Sequence, residues 1–205
     1  MQKKYWLGLF SVALMSQPLI SEAKPLLFNV KGNNHDVISF KSDAPVEVIA
    51  GTTHHVDGVI KLDDSFKLDA NHPFQIRFDV DLASLDTGIP LRNDHMRDNF
   101  LETGKYPKAS FEATSVKFLE KPNLSKAQTL HLEATGNFTL HGVTVQKTIP
   151  LLVDYKPGSN KTASVRVRGS FPVKLVDHHI QRPEAIFVKL AETINASVDI
   201  TGNEQ

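Results

Sequence analysis

The chain has 205 residues, enough for one domain with a sizeable core. Its 23 Lys and Arg balance 23 Asp and Glu, so no basic excess marks a nucleic-acid partner. It has no cysteine, which excludes disulfides, thiol catalysis, zinc–thiolate sites and covalent haem attachment.

The first residues read as an export signal. Lys3 and Lys4 form a basic start, Trp6 to Met15 a short apolar run, and Ser21-Glu22-Ala23 a small-x-small cleavage pattern. The expectation is a signal peptide over residues 1–23, removed after Ala23, and a single domain over 24–205 in the periplasm or secreted. Nothing after the first twenty residues is apolar enough to span a membrane, so no stable membrane insertion is expected. An exported chain without cysteine must draw its stability from a large sheet core.

From Leu26 onward, apolar and polar residues alternate, the mark of half-buried strands. Leu26–Lys31, Val37–Lys41, Val46–Ile49 and His55–Leu62 fit strands. Turn signals at Gly32-Asn33-Asn34, Asp43 to Pro45, Asp63-Asp64 and Asn71 to Pro73 separate them. Phe74 to Leu82 alternates most cleanly, with Phe74, Ile76, Phe78, Val80 and Leu82 on one face. Residues Ser84 to Pro107 then break the period. Pro90 suits a first helical turn, Leu91, Met96, Phe100 and Leu101 form an apolar side, and Gly104 suits a helix end. One short helix is expected near residues 90–102.

Strands resume at Ala109–Phe118 and Thr129–Leu140. The second puts Leu130, Leu132, Ala134, Phe138 and Leu140 on one face, with Gly136 marking a bend or bulge. After a turn at His141-Gly142, Val143 to Val153 continues the pattern, followed by Ala163–Leu175, Ala185–Lys189 and Ile194–Ile200. Arg166 and Arg168, with Lys161 and Lys174 nearby, alternate with Val165 and Val167, so they read as the solvated face of a strand.

Many antiparallel strands, each with one apolar face, imply an all-β protein. It is either a two-sheet sandwich or a closed barrel of about eight strands, a size that can enclose one small ligand. The inward-facing candidates are Phe74, Ile76, Phe78, Val80, Leu132, Phe138, Val167, Phe171 and Val198. Alternation does not say whether they line a cavity or meet in a packed core. An uncovered edge strand would permit a homodimer.

Two longer runs are more specific. SLDTGIPLRNDHMRDNFLETGKYPKASFEA (Ser84–Ala113) and GNFTLHGVTVQKTIPLLV (Gly136–Val153) resemble, in order and spacing, segments of the YceI-like family; the second is similar to its G-x-(L/F)-T-x-H-G-V-T pattern. The resemblance covers nearly all of the chain from about Pro25 to Gly202. It implies a lipocalin-like antiparallel barrel with an elongated apolar interior. It also implies an apolar ligand, such as a polyisoprenoid or quinone-like lipid, and export to the periplasm as for some members. Simple encapsulation would drive binding, since each methylene taken out of water contributes about 0.8 kcal/mol.

If Leu91 to Leu101 is helical, Arg92 and His95 share a face. Together with Asp94 they either form a polar mouth for a head group or tie the insertion to the barrel by hydrogen bonds. The pairs His54-His55 and His178-His179 open an alternative, a periplasmic metal or haem binder. Neighbouring strand residues point to opposite faces, so each pair offers one imidazole to a given site. A third ligand such as His95 or Asp177 would be required, and no HxH or HExxH spacing occurs. No metal site is therefore assigned and no cofactor is expected. The chain has no G-x-S-x-G elbow, P-loop or dinucleotide fingerprint, and no enzyme activity is expected.

Overall fold

The computed structural model describes residues 26–62, 74–123, 125–158, 162–182 and 190–205. The expected signal segment 1–23, the turns at 63–64 and 71–73, Lys161 and the expected strand 185–189 lie outside the described residues. The strands are β1 (Leu26–Lys31), β2 (Val37–Asp43), β3 (Val48–Thr53), β4 (Val56–Leu62), β5 (Gln75–Asp81), β6 (Lys108–Phe118), β7 (Gln128–Leu140), β8 (Val143–Lys156), β9 (Ser164–Lys174) and β10 (Thr193–Glu204).

These strands make eight staves. β1 and β2 lie end to end along β10, β1 on Asn203 and Glu204 and β2 on Asn195 to Asp199. β3 and β4 lie end to end against them. From β4 to β10 each strand pairs antiparallel with the next in the chain, and β10 returns to β1. The sheet is therefore a closed antiparallel barrel, one of the two architectures that alternation allowed. Among the described residues the backbone of β3's outer edge is paired at Thr52, which exchanges two hydrogen bonds with Asp86 at 2.9 Å.

The two broken staves bend together. The Gly32 N–H donates to the Val56 carbonyl at 2.7 Å across the bend. Asp36, fully buried, fills the gap between β1 and β2. Its carboxylate accepts from the Thr201 N–H at 2.7 Å and from the Asn33 amide at 2.8 Å. The break leaves the Thr201 amide without a strand partner, and a buried amide must find one. A side chain supplies it.

The irregularity expected at Gly136 sits across the ladder from it. β6 shifts register between Ala113 and Ser115, opposite Gly136 of β7. A β-carbon on Gly136 would lie 2.3 Å from the Glu112 carbonyl oxygen, so only glycine fits beneath the bulge. The β7–β8 turn is made by His141 and Gly142, both left-handed at φ 51° and 74°. That is the two-residue turn that matches strand twist. Tyr106 covers it, and a β-carbon on Gly142 would lie 2.5 Å from its Cε1. The His-Gly step of the motif thus has a backbone reason.

The insertion between β5 and β6 forms a helix, α1 (Pro90–His95), continued by one wide turn over Met96–Phe100. The chain reverses at Glu102 (φ 45°), not at the expected Gly104. The Leu101 and Thr103 amides already donate to Met96 and Arg97 (both 2.9 Å), so the final carbonyls are satisfied two residues earlier. Met96, Phe100 and Leu101 pack against the barrel as expected, whereas Leu91 is exposed.

Apolar side chains divide the interior by height. One end, where β1 begins and β8 finishes, is filled by Phe28, Val30, Val56, Ile60, Leu62 and Ile200 with their neighbours. The other end carries Leu82, Leu85, Phe138, Leu140, Val173 and Ile180, over which the insertion lies.

Candidate functional site

The end under the insertion is hollow. A cavity of about 530 Å³ opens there, within the range of small-molecule sites. Its wall is almost wholly aliphatic and aromatic, and the buried cluster of that end lines it throughout. The filled end closes it below, where Phe78, Leu151, Val167 and Ile200 serve both the packed core and the cavity. Phe138 and Phe171 meet edge to face, ring centres 5.3 Å apart, and stiffen one side.

Six of the nine inward-facing candidates line this space: Phe78, Val80, Phe138, Val167, Phe171 and Val198. Phe74 and Ile76 point inward one turn lower, against the packed end. Leu132 is buried but is not part of the cavity lining. Beyond the nine candidates the wall includes Leu140, Val173, Ile194 and Ala196, higher on the same faces. Alternation identifies the face of a strand but not the height at which the interior becomes hollow.

The polar residues at the mouth follow from the insertion. Asp86 anchors it: its carboxylate accepts from the Gly88 N–H (2.8 Å) and the Asn93 amide (2.7 Å). The Gly88 N–H first, and Asn93 second, hold that carboxyl below its ordinary value. Asn93, buried, accepts in turn from the Thr87 N–H (2.9 Å) and hydroxyl (2.6 Å). The Asp-Thr-Gly and Asn elements of the motif are thus a hydrogen-bonded staple, which needs no ligand to explain it.

Arg92 and His95 both reach the cavity mouth; Asp94 does not. Arg92 donates from Nε and Nη2 to the Thr87 hydroxyl and carbonyl (3.0 and 3.1 Å) and from Nη1 to Glu47 in the β2–β3 turn (2.8 Å). It ties the insertion to the barrel. Asp94 pairs with Arg97 at 2.5 Å on the exposed side of the helix.

The histidine pairs are engaged separately. His54 Nδ1 lies 2.5 Å from the Asp36 carbonyl, and His178 Nδ1 lies 3.1 Å from the Val143 carbonyl. Among the described residues no three His, Asp or Glu side chains gather in metal-binding geometry.

His178 is fully buried, edge-on to Phe138 at 5.3 Å. Burial pushes its imidazole below the ordinary value of 6.5, against carbonyl contacts that raise it. The sign of the consequence is fixed. The unfolded chain takes up a proton near pH 6.5, before the folded one does, so stability is full above that pH and declines below it. The unfolding free energy from urea titrations is expected to fall between pH 7 and 5 by at most about 1.4 kcal/mol per pH unit from this group. Asp86, Glu120, Asp154 and Asp199 have lowered values and lose their contributions only as pH falls below the ordinary carboxylate range. His178→Gln should be less stable but should flatten the dependence between pH 7 and 5. An unchanged slope would contradict the assignment.

Residues 29–203 match the YceI-like domain family. A UPF0312 protein of Vibrio parahaemolyticus is 33% identical over 147 residues, 69% of this chain and 71% of that protein. Protein YceI of Escherichia coli is 28% identical over 186 residues, 87% and 88% of the two chains. Among solved structures, a polyisoprenoid binding domain from Saccharophagus degradans superposes with a TM-score of 0.66 at 17% identity, covering 88% of this chain and 99% of that one. Burkholderia cenocepacia BcnA superposes at 0.63 and 17% identity, covering 81% and 95%. With the matched segment spanning the whole barrel, from β1 to β10, the chain belongs to the YceI-like family.

Proposed function

We propose that this protein is an exported carrier that encloses a long apolar, isoprenoid-like chain in its barrel and performs no chemistry on it. The observation that carries the reading is the cavity: about 530 Å³ of apolar space, closed at one end by packed side chains and open at the other. Water gains nothing by filling such a wall, whereas each ligand methylene transferred from water contributes about 0.8 kcal/mol. The shared fold of a polyisoprenoid binding domain supports the ligand class. The basic, apolar and small-x-small pattern of residues 1–23 supports export to the periplasm with cleavage after Ala23.

The mouth sets orientation. Arg92 has its donors directed at Thr87 and Glu47, so a head group would meet His95 and the outer rim. Protein recovered from an exporting host should begin at Lys24 and release an apolar molecule of prenyl or related type into organic solvent, read by mass spectrometry. Extracts without any such molecule, together with no uptake of added prenyl lipid, would overturn the carrier reading.

A further inference from the structure

We infer that the rim formed by the β2–β3 turn and the start of α1 docks on a lipid bilayer surface, letting the apolar ligand move between membrane and cavity without crossing bulk water. The inference rests on the carrier reading and adds where loading occurs.

Among the described residues, six large apolar side chains are prominently exposed, and they are not scattered. Val46 (67%), Val48 (57%), Ile89 (48%) and Leu91 (65%) flank the two members of a single ion pair, Glu47–Arg92 at 2.8 Å. That pair draws the β2–β3 turn and the insertion together at the cavity mouth. Val176 follows Leu175, which lines the same end; only Leu119, past the far end of β6, lies elsewhere. Isolated exposed hydrophobics need no explanation, but a group beside the cavity mouth does.

Two further observations select a bilayer. First, the exposed rim is continuous with the cavity, because Ile89 and Leu91 belong to both. A ligand insoluble in water resides in membranes, and a continuous apolar path removes its exposure during transfer. Second, three ion pairs stand beside the rim: Glu47 with Arg92, Asp94 with Arg97 (2.5 Å), and Lys41 with Asp43 (2.8 Å). These six charges enter an interface already paired, which lowers the cost of bringing them against a bilayer. Among the described residues no helix is long and apolar enough to cross a membrane, so the contact is peripheral.

The test follows a dansyl-labelled farnesyl probe from phosphatidylcholine vesicles into the full protein. Docking predicts a transfer rate proportional to vesicle concentration and retained at roughly 0.5 M salt, where exposed charges are screened. The double variant Val46→Ser, Val48→Ser touches neither cavity wall nor ion pair. It should slow vesicle transfer at least fivefold while taking up ethanol-dispersed probe like the unmodified protein. A rate independent of vesicle concentration, or unchanged in the variant, would overturn docking and leave the carrier reading standing. The same holds if the variant converts a dimer to a monomer without altering transfer, since the rim would then be a contact between copies. Failure of uptake by both routes would overturn the carrier reading, and docking with it.

Discussion

Gly32→Ala is expected to lose about 3 kcal/mol or more of stability, a large share of what a domain of this size holds. A β-carbon at Gly32 would lie 2.0 Å from the His54 carbonyl oxygen and 2.8 Å from the Val56 nitrogen. Both obstacles are backbone, so no rotamer change relieves the contact. Separating the chains would also break the Gly32–Val56 hydrogen bond and shift the bend that places Asp36 under Thr201. The damage should therefore extend beyond one site, into the closure of β10 on β1. Gly104→Ala is the control: nothing lies within 4 Å of its added β-carbon, and the change should stay within about 0.5 kcal/mol. Urea unfolding followed by circular dichroism reads both. A Gly32→Ala midpoint equal to that of the unmodified protein would refute the close approach of the two bends.

Ala196→Trp is expected to weaken binding of an apolar chain by more than about 100-fold while leaving the barrel folded. Ala196 lies on β10, with Phe171 and Phe40 as its cross-strand partners, and its side chain faces the cavity. An indole there takes space that a ligand would fill. Excluding about four methylenes removes about 3 kcal/mol of binding, and each 1.4 kcal/mol is a factor of ten. The variant also separates a hollow interior from a filled one. In a packed core the added ring would cost about 1–3 kcal/mol of stability through overpacking. In this cavity the ring finds apolar surface to cover, and thermal midpoints should move little. Titration with a fluorescent prenyl probe and a melting curve together give the answer. Full affinity in the variant would place the ligand elsewhere.

How much of this was legible beforehand depends on which physical rule governs each feature. The strand faces were open to inspection because side chains alternate with period two, whatever the surroundings. That rule turns Phe78, Val80, Phe138, Val167, Phe171 and Val198 inward, and they line the cavity. Phe74 and Ile76 obey the same rule at a different depth and pack into the filled end. Leu132 is likewise buried, outside the lining. The run around Asp86, Thr87 and Asn93 was visible as a motif, but its role as a staple needed the partners to be seen. So did the mouth group. Helical spacing groups Arg92 with His95, yet Glu47, which engages Arg92, comes from a turn 45 residues earlier.

Composition and alternation determined by themselves an all-β chain with one helical insertion and a turn at His141-Gly142, and the two motif runs added the YceI-like family and its antiparallel barrel. These are local properties, written in neighbours along the chain. Tertiary structure alone decided that one end of the barrel is filled and the other empty, and that exposed aliphatic residues gather at the opening. Those outcomes depend on which side chains meet across the interior, a distance that residue spacing along a single strand does not encode.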